Sequence, residues 1–315
     1  MQAVNKVTCM HRARRAPASA STTLARALTR LLSAISLLFL PVFLPGVAAA
    51  QEPPYLVTYS SYMEEPGNLE LALRSAIATP QYGNQFRSLT IETEYGATAW
   101  WTTEFYLSGQ NTANDSTVFS GWRWENRVRP LFKDHFINPV LYVEYENLSL
   151  ADRSLLEVTG HDSKSDLLLA NWQGRLETVR SLETKLILSS NFKGWNLSEN
   201  FIAEKDLNEP EPWEFGYALG VSRPLALAAS AHDCVFCRER FAAGAEMYGG
   251  LGDTNGFGIK STSQYLGPTL AFDVPKGPTI IFSPNFGLND NSLGVIYRFK
   301  ISYELQQIFH RKKAQ

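Results

Sequence analysis

From Leu293 to Leu305 the chain alternates with a period of two. Leu293, Val295, Tyr297, Phe299, Ile301, Tyr303 and Leu305 are apolar or aromatic. Gly294, Arg298, Lys300, Ser302 and Glu304 stand between them, with Ile296 as the one apolar intruder. That period belongs to a β-strand, whose successive side chains leave the backbone on opposite faces. The stretch is also as long as the roughly 9–11 residues that a tilted strand needs to cross a bilayer. One greasy face and one charged face suit a barrel wall between lipid and an aqueous lumen.

The same alternation recurs upstream. Leu89, Ile91, Thr93 and Tyr95 oppose Thr90, Glu92 and Glu94; Ala99, Trp101, Thr103, Phe105 and Leu107 oppose Thr102 and Glu104. Val118, Trp122, Trp124 and Val128 share one face, with Arg123, Glu125, Arg127 and Arg129 on the other. Four consecutive charges on one face exclude a hydrocarbon environment for that face. Leu141, Val143 and Tyr145 alternate with Tyr142, Glu144 and Glu146. Trp213, Phe215, Tyr217, Leu219 and Val221 alternate with Glu214 and the small residues Gly216, Ala218, Gly220 and Ser222, which leaves room inside a wall.

Further strands are expected at Leu56 to Tyr62, Asn68 to Ile77, Leu197 to Lys205, Phe241 to Met247, Leu266 to Val274 and Ile280 to Leu288. A hairpin is expected from Leu168–Glu177 and Leu182–Leu188. Polar or Gly-rich stretches predict loops at Gly109 to Ser116, Asn147 to Asp166 (with a short strand at Leu155 to Thr159), Asp206 to Pro212, Arg223 to Arg238 and Gly249 to Gly258. The sum is an all-β chain: a transmembrane up-and-down antiparallel β-barrel of about 12–14 strands. No repeat of fixed 20–50 residue period points to a propeller or solenoid. The seven tryptophans, Trp100, Trp101, Trp122, Trp124, Trp172, Trp195 and Trp213, are expected in girdles at the membrane interfaces.

Residues 1–50 read differently. Lys6, Arg12, Arg14, Arg15, Arg26 and Arg30 precede an apolar run from Leu31 to Val47, and Ala48-Ala49-Ala50 offers a cleavage site before Gln51. This is the pattern of a secretory signal peptide. It divides the chain into a signal (1–50), a barrel (51–305) and a short basic tail (306–315). The signal carries six of the 29 basic residues and none of the 31 acidic ones, so the exported chain has an acidic excess of eight. Nucleic acid, which is bound by neutralising phosphates, is a poor match.

Candidate chemistry is sparse. Cys234 and Cys237 remain after cleavage, and in an oxidising compartment the pair reads as a local disulfide. Free thiols, or a metal held with His232 and Asp233, are the alternatives. Gly160-His161-Asp162-Ser163 places Ser, His and Asp side by side, but a catalytic triad is assembled by the fold rather than by adjacency. No catalytic residue, metal or cofactor is expected. The functional signal is the inward charge: Arg123, Glu125, Arg127, Arg129, Glu144, Glu146, Glu214, Arg298 and Lys300 are the candidate pore-lining residues. The competing reading of the same charges is a set of cross-strand ion pairs that fill a narrow lumen.

Glu94-Tyr95-Gly96-Ala97-Thr98-Ala99-Trp100-Trp101-Thr102-Thr103-Glu104 and Phe286-Gly287-Leu288-Asn289-Asp290-Asn291-Ser292-Leu293 through Tyr303-Glu304 resemble strand-turn patterns of Gram-negative outer-membrane barrels. In particular they resemble the phenol-degradation (MetA-pathway) outer-membrane family. The resemblance implies a channel-like role in the outer membrane and carries no catalytic residues. The expected function is therefore passive passage of small solutes, with outer-membrane lipid and those solutes as the partners. The alternatives are a structural or adhesion barrel with no open pore, and a soluble periplasmic β-protein that binds a small apolar ligand.

Overall fold

The computed structural model describes residues 52–153, 168–228, 230 and 234–308. The expected signal peptide, the Leu155–Thr159 strand, the Gly160–Ser163 cluster, His232, Asp233 and the end of the basic tail lie outside the described residues.

Twelve strands close into one antiparallel barrel. In chain order they are β1 (Leu69–Ala78), β2 (Phe86–Thr98), β3 (Trp101–Thr112), β4 (Thr117–Val128), β5 (Asn138–Ser149) and β6 (Thr178–Phe192). There follow β7 (Trp195–Asp206), β8 (Glu214–Pro224), β9 (Phe241–Asp253), β10 (Gln264–Asp273), β11 (Thr279–Gly287) and β12 (Val295–Leu305). Each strand pairs with its sequence neighbours, and β1 closes on β12 with Leu69 opposite Leu305 and Ala78 opposite Ile296. Chain entry and exit thus share one end, called here the terminal rim. The other end is the distal rim, where residues 150–177 form the longest connection.

The alternation seen in the sequence separates outside from inside. Leu73, Ile91, Phe105, Trp124, Leu141, Phe201, Phe282 and Tyr297 all point out from the wall and are exposed. Trp124 is 51% exposed, whereas Arg127, on the same strand but of opposite parity, is 6% exposed. A belt of large apolar groups around every strand, with charged groups shut inside, is the inverse of a water-soluble protein. The chain is a transmembrane β-barrel. Among the described residues no helix is long and apolar enough to cross a membrane.

Trp100, Trp101 and Trp195 stand at turns of the terminal rim, and Trp172 and Trp213 at the distal one; Trp122 and Trp124 instead lie within β4. Five of the seven occupy the rims, and the two on β4 are part of the lipid-facing belt.

Four expectations are corrected. Leu168–Glu177 is not a strand: it lies in the distal connection and holds a single helical turn, α1 (Asn171–Gly174), while β6 alone forms the hairpin arm at Thr178–Phe192. The Gly249–Gly258 loop begins later, because β9 runs on to Asp253. Its glycines belong to the wall: a Cβ on Gly249 would stand 2.2 Å from the Ser263 carbonyl oxygen, and an extra residue between Gly250 and Gly252 makes a bulge opposite Phe215–Gly216. The loop expected from Asn147 starts after Ser149, where β5 ends.

The fourth correction matters most for function. Leu56 to Tyr62 alternates like a strand but joins no sheet. Residues 52–63 form an extended strap inside the barrel, where Tyr55, Leu56 and Val57 are buried. The interior is consequently a core. Val57 packs with Phe86, Tyr248, Tyr265 and Ile296, and Leu56 packs with Ala242, Ala271 and Ile281. Tyr59 and Met63 lie against Val140, Tyr142 and Ile187.

Candidate functional site in the lumen

The strap is held by polar groups of the wall. Glu246, midway along β9 and fully buried, accepts hydrogen bonds from three successive backbone amides: Leu56 at 3.0 Å, Val57 at 2.9 Å and Thr58 at 2.7 Å. Two strands away, on the far side of β8, Asn200 of β7 mimics a neighbouring strand. Its Oδ1 accepts from the Tyr59 amide at 2.6 Å, and its Nδ2 donates to the Tyr59 carbonyl at 2.9 Å. The Tyr55 hydroxyl donates to Asn196 Oδ1 at 2.9 Å. An extended segment buried without a sheet must find partners for its backbone groups somewhere, and here side chains supply them. The bonds to the Glu246 carboxylate, when it is ionised, are worth about 1.5–3 kcal/mol each, and the neutral ones about 0.5–1.5.

Next to the strap the inward charges are knitted together. Arg127 pairs with Glu94, Glu104 and Glu125 and also donates to the Tyr62 carbonyl at 3.3 Å. The Tyr106 hydroxyl lies within hydrogen-bond reach of both Glu104 and Glu125 and can donate to either, and the Tyr59 hydroxyl donates to Glu125 at 3.0 Å. Arg123 pairs with Glu144 at 2.9 Å, and Lys185 with Glu183 at 2.8 Å. Lys300 bridges Glu70 at 2.7 Å and Glu92 at 3.0 Å, with Arg74 on the far side of Glu92. Removing one partner from such a buried pair leaves an uncompensated charge and costs several kcal/mol, about 3–5.

The candidate pore-lining residues fall into two groups. Arg123, Glu125, Arg127, Glu144, Glu146 and Lys300 are buried inside the barrel. Arg129, Glu214 and Arg298 are only partly buried. Arg129 lies one residue beyond β4 at the terminal rim and pairs with the exposed Asp134. Glu214 opens β8 at the distal rim, and Arg298 donates to the Tyr248 hydroxyl at 3.3 Å. Cys234 and Cys237 meet in the terminal-rim connection between β8 and β9, with Cα atoms 5.4 Å apart, a span that a disulfide bridges.

Strand parity could locate every wall group, including Glu92, Glu94 and Glu104, which the sequence places on polar faces. It could not show that Glu246 and Asn200 hold a strap. The signal available was the run of small inward residues on β8, which marks space that something must fill.

Spaces remain around the strap, and three of them, among the described residues, are bordered by its charged neighbours. One of about 550 Å³ opens at the terminal rim among Glu52, Tyr62, Glu64, Glu70, Asp273 and Glu304. Another of about 310 Å³ lies toward the distal rim, among residues including Arg74, Glu146, Glu183, Lys185, Glu204 and Glu214. A gap of about 30 Å³ lies between strap and wall beside Glu94, Glu104, Arg127 and Lys300.

No protein-family model matches the chain, and no curated protein matches it. Solved structures of similar shape are outer-membrane barrels. The COG4313 outer membrane channel from Pseudomonas putida F1 is 9% identical, with 84% of this chain and 100% of that one covered at a TM-score of 0.49. A KdgM porin is 8% identical, covering 74% of this chain and 98% of its own, at a TM-score of 0.46. The CymD monoaromatic hydrocarbon channel is 9% identical, covering 77% and 89%, at a TM-score of 0.38. Likeness at this level says nothing about the lumen, whose reading rests on its own residues.

Proposed function

We propose that the protein is an outer-membrane channel for small solutes, closed in this structure by residues 52–63. The observation that carries this reading is the strap's position between two cavities, one at each rim, with a gap of only about 30 Å³ beside it. The strap enters and leaves at the terminal rim, since Glu52 and Glu64 line the same cavity there. It can therefore withdraw without unthreading the barrel. A closed β-barrel with an apolar exterior suits the outer membrane, and the two-residue turns at Ala99-Trp100 and Lys193-Gly194 suit a periplasmic terminal rim.

Cleavage after Ala50 leaves Gln51 as the first residue, one position before the strap, so export would itself free the plug to enter the lumen. Mass spectrometry of the native protein should show that N-terminus. Kinship with the phenol-degradation family rests on the short strand-turn motifs alone.

The test is conductance in a planar bilayer. Wild type should show rare steps, and Glu246→Gln, which weakens the hold on Leu56 to Thr58, should show frequent ones. A second reading, a barrel with no passage, is favoured by the close pairing of the buried charges. It predicts silence from both proteins while each still shifts on a gel when heated, as folded barrels do.

A further inference from the structure

Directly opposed carboxylates run across ten consecutive strands. Glu304 of β12 faces Glu70 of β1, which faces Glu94 of β2, then Glu104 of β3 and Glu125 of β4. The row continues through Glu144 of β5, Glu183 of β6, Glu204 of β7, Glu214 of β8 and Asp253 of β9. All ten have the parity that points inward. Strands in a barrel are tilted and staggered, so a row of paired residues climbs the wall as a spiral. Glu304 and Glu70 lie near the terminal rim, whereas Glu214 opens β8 and Asp253 ends β9 at the distal rim. The spiral spans the barrel from one end to the other.

Like charges placed directly opposite each other destabilise a sheet. A single such pair is an accident of composition; nine in succession are a cost that stability alone gives no reason to bear. Basic partners relieve only part of it. Arg123, Arg127 and Lys185 occupy the neighbouring rows, and Lys300 reaches Glu70. Members of the row also border each of the three spaces described above. Glu304 and Glu70 border the terminal-rim cavity, Glu94 and Glu104 the gap beside the strap, and Glu183, Glu204 and Glu214 the distal cavity.

A separate observation points to a ligand. Tyr142 and Thr102, inward residues two positions before Glu144 and Glu104 and both opposite Arg127, carry hydroxyls with no hydrogen-bond partner among the described residues, although they are 1% and 0% exposed. Buried hydroxyls are nearly always bonded. Two unpaired hydroxyl oxygens one row from the carboxylates offer lone pairs of the kind that replace a cation's hydration shell.

We propose that this acidic spiral is a conduction path for small cations, inorganic or ammonium, and that the channel is cation-selective. The proposal rests on the channel reading above and deepens it. A passage in which one sign of charge predominates enriches the opposite ion on the order of tenfold or more.

The experiment is the reversal potential of the full exported chain in planar bilayers under a KCl gradient. Wild type, Glu246→Gln and the double variant Glu204→Gln/Glu214→Gln are compared, each checked for folding by heat-modifiable migration. Potassium should be preferred over chloride about tenfold, with that preference clearly reduced in the double variant. Conductance without cation preference, or a preference untouched by the double substitution, overturns the spiral while leaving a channel. Silence from both wild type and Glu246→Gln overturns the channel and the path together. Should the double variant fail to fold, the sign of the wild-type potential decides.

Discussion

The ring of Tyr55 lies where Gly220 has no side chain. A Cβ built on Gly220 would stand 2.7 Å from the ring carbons, closer than any real contact. The wall of β8 has therefore been kept bare at the place where the strap presses against it. Gly220→Leu cannot coexist with the docked Tyr55. Overpacking of this kind costs about 1–3 kcal/mol, and each 1.4 kcal/mol is a tenfold change in an equilibrium. Because Gly220 is held between two paired strands and Tyr55 belongs to a strap that joins no sheet, the strap should yield. Conductance events should rise by about tenfold, and Tyr55→Ala should reproduce the effect from the other side. If Gly220→Leu left conductance unchanged while the barrel still folded, the strap would not be the gate.

Glu64 ties the strap's exit to pH. It is buried beside Glu304 and Glu70, and burial first, then those neighbouring carboxylates, push its pKa up to about 8. The docked form thus binds a proton that the undocked form, with an ordinary carboxylate pKa near 4.5, releases. Stability falls with pH wherever the docked state holds more protons. Docking should be undiminished below about pH 4.5, weaken steadily above it, and level off once pH passes about 8. Conductance events should accordingly increase between those limits. Glu64→Gln should remove the part of the rise that extends to about pH 8 and leave a smaller one from Glu52, which burial in the docked strap pushes up to about 7; an unchanged rise would assign the titration to another group.

Most of the wall was legible because parity is a local property. The faces of β2, β4, β5, β8 and β12 could be read from alternation alone, and Trp124 and Arg127 lie on the sides that the sequence gives them. The strap was not legible, because Leu56 to Tyr62 alternates for a different reason. Leu56 meets Ala242 and Ala271, Val57 meets Phe86 and Tyr248, and Tyr59 reaches Glu125. A segment surrounded by wall on all sides has no solvent face, so its pattern carries no information about sheet membership. The acidic row was visible only in part for a related reason. Each glutamate could be assigned to an inner face, but their alignment depends on register, which hairpin connections set and which local pattern does not reveal. The absence of a strand at Leu168–Glu177 has a simpler cause: its apolar residues Leu168, Trp172 and Leu176 are exposed around the α1 turn and belong to no wall.

The lipid-facing belt gives a test independent of the lumen. Phe201 lies midway along β7 with its side chain outward and 51% exposed. An arginine at the bilayer midplane of such a barrel costs about 2–4 kcal/mol, falling to about 0–1 near an interface. Phe201→Arg should therefore lower the unfolding free energy in lipid vesicles by the larger amount, and Leu207→Arg, one residue beyond β7, by the smaller. Equal effects at the two positions would mean that no hydrocarbon surrounds Phe201.

The weakest seam in the wall should be the one between β10 and β11. Leu266 pairs with Phe286 and Leu270 with Phe282, which sets Pro268 against Pro284 in the interval between them. Neither proline has an N–H to give to the ladder, and prolines are ordinarily confined to sheet edges, which a closed barrel does not possess. The inner side of the same interval is poorly satisfied as well: Asn285 Oδ1 and Thr269 Oγ1 are buried with no hydrogen-bond partner among the described residues. Amide exchange in detergent should therefore be faster in 266–270 and 282–286 than in the unbroken β5–β6 pairing, where Asn138 to Ser149 meets Ser189 to Thr178 without interruption. Pro284→Val should slow exchange there by restoring a donor. Were the seam as well protected as β5–β6 in the unmodified protein, the wall would be held at that point by packing rather than by its backbone bonds.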